Sequence, residues 1–462
     1  MARAVLLLTI RLFTRRSGCR CASSGGGESD VGDENGSRAN GLATQDSSRV
    51  RQDDGARAAP VYRRTIRLLH HVAGLELGYV IDIRTATEAD WPEMFAHDVR
   101  AFGSPFGDEA ADLLRRTLDL DRFVVARDTE DGSLVGVAGS FALTLTLPGG
   151  AQREVPGVSW VAVAPSHRRL GVLRMMLDEL HARFVKAGAA VAILTASEGT
   201  IYNRFGYGTA TFIDQVTIDR RTARLRNPAA GPMRTRAVEG EAVREQLEQL
   251  YRRWHAATPG SVSADAFWEL FHADPEWDRW GGSARRYLVH PEGFATYRVD
   301  EKQRAQIEQI RALTAAAEVD LWQTVLGLDI FDEVTVDLPL DHPLREMVVN
   351  LRSVKVTARK DQLWLKFLDV PKALAARTYH HDADLVLGVD DVAYRLQISD
   401  GVAVCAATTE SPSVSLSGPT LAGLYLGATT PSTLARAGRI DGDFRALTVF
   451  CTERQPELGT PF

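Results

Sequence analysis

The sequence predicts a multidomain protein of mixed α/β and α+β class, and three observations carry that expectation. The chain is 462 residues long, which is more than one hydrophobic core organises, so two to four domains are expected. Apolar strand-like runs alternate with helix-period runs up to about residue 350, and short strands with DG and DD turn signals follow. Hydrophobic residues make up 45% of the chain and charged residues 25%, the balance of a globular protein.

Composition also excludes some classes. A formal net charge of −6 leaves no general nucleic-acid footprint, so no nucleic-acid partner is expected. Four cysteines are too few for a disulfide framework. Cys19 and Cys21 form a lone C-x-C, while Cys405 and Cys451 read as small core residues, and a cytoplasmic location fits.

Taken in order, residues 1–77 read as a disordered extension. Its first stretch, MARAVLLLTIRLFTRRSGCRC, has an apolar run too short to cross a bilayer, and no membrane partner is expected. The Gly/Ser/Asp-rich remainder buries too little apolar surface to offset its ordering entropy. Regular structure is expected from about Gly78. The strand YVIDIR leads to Thr87, an N-cap ahead of a helix through Phe95 and Val99. RFVVARD and SLVGVAGSFALTLT read as strands, the second ending in a Pro-Gly-Gly turn. GVSWVAVAP is an apolar strand. Behind it Leu173, Met176, Leu177, Leu180 and Phe184 recur at helical spacing up to Gly188. AVAILTA and TATFIDQVTIDRR read as strands on either side of SEGTIYNRFGYG, closing a first unit over 78–222.

A second unit, 223–350, has helices at EAVREQLEQLYRRWHAA, ADAFWELFHA and AEVDLWQTVLG, with strands RRYLVH and GFATYRV. The third, 351–462, has strands LWLKFL, LVLGV and YRLQI and helices near PTLAGLYLG and PSTLARAG. That is an α+β pattern with a mostly antiparallel sheet.

One stretch carries chemistry. The strand WVAVAP runs into SHRRLGVLRMM, where a turn, an arginine cluster and a helix start coincide. Helix N-termini present open N–H groups and a positive dipole end, and glycine lets the backbone approach an anion closely. Arg168 and Arg169 can pair with pyrophosphate oxygens. Among the motifs of other phosphate sites, neither G-x-G-x-x-G after the first strand nor G-x-x-x-x-G-K-[ST] occurs. H-E-x-x-H and paired C-x-x-C are also lacking, and no metal is expected. In SEGTIYNRFGYG, Tyr202 is placed to give a proton to a departing thiolate.

VSWVAVAPSHRRLGVLRMM, TASEGTIYNRFGYGTAT, LYLGA and the terminal phenylalanine together resemble the enhanced intracellular survival (Eis) family of actinobacterial N-acetyltransferases, from about Val80 to Phe462. The resemblance implies two GNAT-like acyltransferase domains followed by a sterol-carrier-protein-like domain, assembled as a homohexamer. It implies an acetyl-CoA cosubstrate held by Val161, Ala162 and Val163, by Arg168 with Arg169, Leu170, Gly171, Val172, Leu173 and Arg174, and by Ser197 and Glu198. Tyr202 takes the role of general acid, and the α-carboxylate of Phe462 that of general base. Such a carboxyl has an ordinary pKa of roughly 3.3–3.7 and is ionised at neutral pH. Phe102 and Trp160 fall at the substrate pocket.

Four positions depart from the family's polycation-binding members. Pro461 stands in place of an acid, Ser104 of an aspartate, Leu114 of a tryptophan and Thr195 of a histidine. The expected reaction is acetyl transfer to primary amines of a small molecule, aminoglycosides being one candidate class. A protein-lysine acetyltransferase and a lipid-binding scaffold with a degenerate site are the alternatives.

Overall fold

The structure is a computed structural model and describes residues 63–72, 75–104, 106–231, 233–279, 281–460 and 462. The extension expected over 1–77 lies mostly outside the described residues. Where it is described it is not irregular: β1 (Arg63–Val72) pairs antiparallel with β2 (Leu75–Thr85), so strand structure begins ahead of Gly78.

Three sheets organise the described residues, and they exchange strands across the expected unit limits. The first has nine strands. It runs β1, β2, β3 (Phe123–Asp128), β4 (Leu134–Thr146), β5 (Gln152–Val163) and β6 (Val191–Thr195), then Leu363–Phe367 and β7 (Gly208–Thr209). Val262–Ser263 pairs with β4 from outside that path. The second has seven strands, with β8 (Phe212–Asp219) between Val354–Asp361 and Glu333–Leu338. So β8, read with the first unit, joins the second sheet. Of the third unit's strands, Val354–Asp361 completes the second sheet and Leu363–Phe367 the first. The third sheet has five strands, all antiparallel except one parallel pair, Ala383–Val389 with Val414–Leu416.

Helix placement follows the apolar periodicity. Thr87 opens a capping box closed by Asp90, and α1 (Trp91–Phe102) follows with Pro92 in its first turn, as N-terminal rules expect. Asp90 is 1% exposed and accepts hydrogen bonds from Arg84, Arg127 and Thr87. Burial works against its charge, yet these donors hold the carboxyl well below the usual range. That ion cluster fixes the start of α1 against β2 and β3. After α2 (Asp108–Thr117) the chain enters β3. The helix α3 (Val172–Lys186) buries Val172, Met176, Leu177, Leu180 and Phe184 against the first sheet. Cys405 and Cys451 do not behave as core residues: Cys405 is half-buried and Cys451 exposed. Cys451 sits just past the turn that buries Val449 and Phe450, on the side facing solvent.

Candidate active site

The site is built where two strands part. β5 and β6 pair in parallel only at Gly157 with Ile193 and Val158 with Leu194. Past Val158 they diverge, and the backbone of β5 is left open on that side. On its other side β5 carries an extra residue: Gly139 pairs with Ser159, whereas Val137 pairs with Ala162. A bulge of this kind bends a strand and re-aims its groups. Trp160 sits in it with φ of 55°, a strained value for a bulky side chain.

That conformation decides where Trp160 goes. Expected to give apolar area to a substrate pocket, it is instead 3% exposed. Its ring lies 5.8 Å from Trp91 and 6.1 Å from Phe123, centroid to centroid. It locks the bulge from the core side. Phe102, its expected companion, is half-buried at the C-terminal end of α1.

The arginine loop follows β5 directly. Pro165–His167 forms a single tight turn, and Gly171 caps α3 with φ of 90° and ψ of −4°. A side chain at that backbone angle is costly, and glycine takes it freely. Met175 N donates to Gly171 O at 3.1 Å and begins the helical ladder, so the N–H groups ahead of it point outward, as at any helix start. The first turn holds no acid. Arg168, Arg169 and Arg174 are exposed around it, and Arg174 lies over the Phe205 ring. The side-chain charges that line this cradle, those of Arg168, Arg169 and Arg174, are all positive. It fits a pyrophosphate.

A tether that sequence reading missed holds the loop. His167 is buried, with Nε2 at 3.0 Å from Asp128 Oδ2 and Nδ1 at 2.9 Å from Ser166 Oγ. The H-D pair is 39 residues apart in sequence, so no local pattern announces it.

Beyond β6 the chain turns through Ser197 and Glu198 into the tyrosine segment. Ser197 is half-buried and Glu198 exposed. Tyr202 is 7% exposed, and among the described residues its hydroxyl makes no hydrogen bond. Burial, with the charge of Glu198 second, pushes its phenol up to about 12, so it is a proton carrier at neutral pH. Tyr207 packs edge-on to it at 6.1 Å but is already committed: its hydroxyl is 2.9 Å from His181 Nε2. Burial, together with the charge of Lys366, pushes His181 down to about 4. The imidazole is therefore neutral at pH 7.

The last residue comes home to the same split. Phe462 is 2% exposed, and its terminal carbonyl oxygen accepts a hydrogen bond from Thr195 Oγ1 at 3.0 Å. Thr195 ends β6, where the strands separate. The Phe462 ring lies against Gly157 so closely that a Cβ there would stand 2.7 Å from Cε2 and 2.3 Å from Leu143 Cδ1. Gly157→Ala is therefore expected to overpack the site at a cost of about 1–3 kcal/mol and to displace the terminal residue. Thermal melts and initial rates on the variant would check this, and unchanged values for both would refute the packing argument.

The second unit repeats the strand–helix–strand order without the loop. Ala305–Ala312 pairs in parallel with Glu333–Leu338 across the helix Ala315–Leu326. There the helix start is closed: Thr314 Oγ1 accepts from Ala317 N at 3.2 Å, and Glu318 occupies the first turn. An acid at that place repels phosphate. A small, open cavity borders the C-terminal segment and is lined by Tyr251, Phe267, Trp268, Phe271, Gln309 and Thr460 among others.

Known proteins with similar sequence and fold are acetyltransferases. Residues 82–210 match the acetyltransferase (GNAT) domain model, 260–377 match a second acetyltransferase (GNAT) domain model, and 370–459 match the sterol carrier protein domain model. The N-acetyltransferase Eis of Mycobacterium tuberculosis is 38% identical over 373 residues, covering 78% of this chain and 93% of that protein. The chain belongs to the Eis family of actinobacterial N-acetyltransferases. An uncharacterized N-acetyltransferase of Streptomyces coelicolor is 34% identical over 386 residues, covering 77% and 92%. Among solved structures, Eis1 from Mycobacterium abscessus superposes with a TM-score of 0.73 at 31% identity, covering 83% of this chain and all of that one. A GCN5-related N-acetyltransferase from Anabaena variabilis gives the same TM-score at 18% identity and shares the fold. As an Eis-family member the protein is an N-acetyltransferase with two GNAT domains and a sterol-carrier-like domain. The expected fold class holds.

Proposed function

We propose that this enzyme moves the acetyl group of acetyl-CoA to a primary amine of a small molecule, using the first GNAT domain alone. The observation that carries the reading is the seat of Phe462, whose carboxyl group lies at Thr195, at the mouth of the β5–β6 split. A terminal carboxylate in that place is within the cleft where an acceptor amine would meet the thioester.

Acetyl-CoA supplies an activated acyl group with a good leaving thiolate. The chain's residues do the rest. Arg168, Arg169, Arg174 and the open amides from Leu170 to Leu173 hold the pyrophosphate. Val161, Ala162 and Val163 lie along the diverging edge of β5, past its last pairing with β6, and Ser197 and Glu198 border the opposite strand. The Phe462 carboxylate takes a proton from the amine, directly or through a water, as the new C–N bond forms. Tyr202 gives its proton to the sulfur as the C–S bond breaks. Solvent then restores both groups. The closed helix start of the second domain supports a single acetyl-CoA site per chain.

The acceptor side supports a small, partly apolar amine. Ser104 and Leu114 are buried residues without charge, and the small cavity beside the C-terminal segment is lined by the rings of Tyr251, Phe267, Trp268 and Phe271 together with Val262 and Ala264. A polycation finds no cluster of carboxylates among those residues. The family relationship also supports a cytoplasmic homohexamer, which sedimentation would test.

Amine-dependent release of CoA thiol across a panel of small amines tests the reaction. Robust release with a lysine-bearing peptide and none with small amines would overturn the substrate reading. For the cosubstrate, Arg169→Ala is expected to weaken acetyl-CoA binding by about 1.5–3 kcal/mol, the worth of one charge-assisted bond. Calorimetric titration measures it directly, and an unchanged affinity in the folded variant would remove the loop from the pyrophosphate site.

A further inference from the structure

We infer that the second GNAT domain is the dock that sets the position of the Phe462 carboxylate, with the ion pair Arg311–Glu457 as its positioning element. The inference rests on the reading of Phe462 as the general base.

Arg311 lies near the end of the strand Ala305–Ala312. That is the strand which, in the first domain, corresponds by order to the acetyl-CoA strand β5. Instead of a nucleotide, it receives the chain's own last segment. Arg311 is 7% exposed and Glu457 is 7% exposed. Nη1 of Arg311 donates to Glu457 Oε1 at 2.5 Å and Nη2 to Gly459 O at 3.0 Å. The guanidinium lies 4.3 Å over the ring of Trp254, whose face favours a cation.

The same segment is also stitched to the stretch of the second unit that joins the first sheet. Glu457 N donates to Pro259 O at 2.9 Å, and Leu458 O accepts from Val262 N at 3.1 Å. Val262 in turn pairs with Leu145 of β4. The clamp thus ties the second domain's Arg311, the C-terminal segment and the first domain's sheet into one unit, three residues short of Phe462.

Why should a buried ion pair stand here? Desolvation makes such pairs poor sources of stability, and apolar replacements often do as well. What a directional fork provides is register. A slip of one residue would carry the carboxylate about 3.3–3.6 Å along the chain, out of reach of Thr195 and of an acceptor amine. Glu457 and Gly459 together admit only one register on Arg311.

The test compares Glu457→Gln, which keeps shape, and the double variant Arg311→Met with Glu457→Gln, which strands no charge. Each is measured in the full-length enzyme and again with Phe462 deleted. We expect kcat to fall about 10–100-fold, the cost of a small misplacement, with acetyl-CoA affinity and its KM unchanged. In the deleted background the same substitutions should change the residual rate no further, because the base they position is gone. A wild-type kcat in both variants would overturn the clamp. So would an added loss in the deleted background, which would place the pair's effect elsewhere. Full activity after deletion of Phe462 alone identifies a different failure, that of the carboxylate as base, and removes the clamp's purpose with it.

Discussion

Deleting Phe462, or adding residues after it, is expected to cut acetyl transfer to a small residual rate while acetyl-CoA affinity stays near that of the intact enzyme. The physical reason is length. The terminal oxygen accepts from Thr195 Oγ1 at 3.0 Å, and the ring is 2% exposed against Gly157. A chain one residue shorter withdraws the carboxylate, and a longer one turns it into a neutral amide that accepts no proton at neutral pH. Phe462→Ala separates carboxylate from ring. Losing a buried phenylalanine costs about 3–5 kcal/mol in a rigid core, so the melting temperature should drop. Yet a carboxylate remains at the same chain position, and some activity should survive. A frayed tail predicts no effect from any of these changes. A purely structural anchor predicts that the alanine variant suffers most and that appended residues are tolerated. Initial rates of CoA release, set beside calorimetric acetyl-CoA affinities, distinguish the three cases. Full activity in a C-terminally extended enzyme would refute the proposed base.

How much of this was legible in the sequence differs by scale. The strand–loop–helix from Ser159 to Lys186 was readable because its signals are local: an apolar strand, an arginine-flanked glycine and a 3.6-residue periodicity. The longer helices of the second and third units were equally plain, whereas the short helices Leu344–Met347 and Val370–Ala376 were not read. Sheet membership was not. Nothing near residues 363–367 says that this strand pairs with Val191–Thr195, nor that Phe212–Asp219 leaves its neighbours for another sheet. Strand partners are chosen by long-range packing, which a local pattern does not encode. Trp160 shows the same limit at one residue. Its place on the strand ahead of the arginine loop, together with the family resemblance, pointed to a pocket, and a bulge with positive φ turned it into the core. The His167–Asp128 tether, the His181–Tyr207 bond and the Arg311–Glu457 clamp each join residues far apart in the chain. Phe462 was assigned through family resemblance; from residues alone a terminal phenylalanine reads as a loose end.

Tyr202→Phe is expected to leave folding and acetyl-CoA binding intact and to lower kcat by about 10²–10⁴-fold, the usual worth of a general acid. Removing a hydroxyl that makes no hydrogen bond among the described residues strands no partner, so stability should hardly change. The pH dependence gives a second check. With its pKa pushed up to about 12, the phenol stays protonated across the neutral and mildly alkaline range. Loss of the acid form needs a pH near that value, so kcat in the intact enzyme should show no descending limb from this group below about pH 11. Tyr207 is the control. Its hydroxyl is bonded to His181, and burial raises its pKa further still. Tyr207→Phe should cost some stability through the His181 nitrogen it leaves unpaired, but little of the chemical rate. If the two variants exchange their effects, with Tyr207→Phe slow and Tyr202→Phe near wild type, the proton comes from Tyr207. If neither slows the reaction, the thiolate leaves without protonation by either tyrosine. Only a slow, well-folded Tyr202→Phe beside an active Tyr207→Phe supports the assignment of the acid.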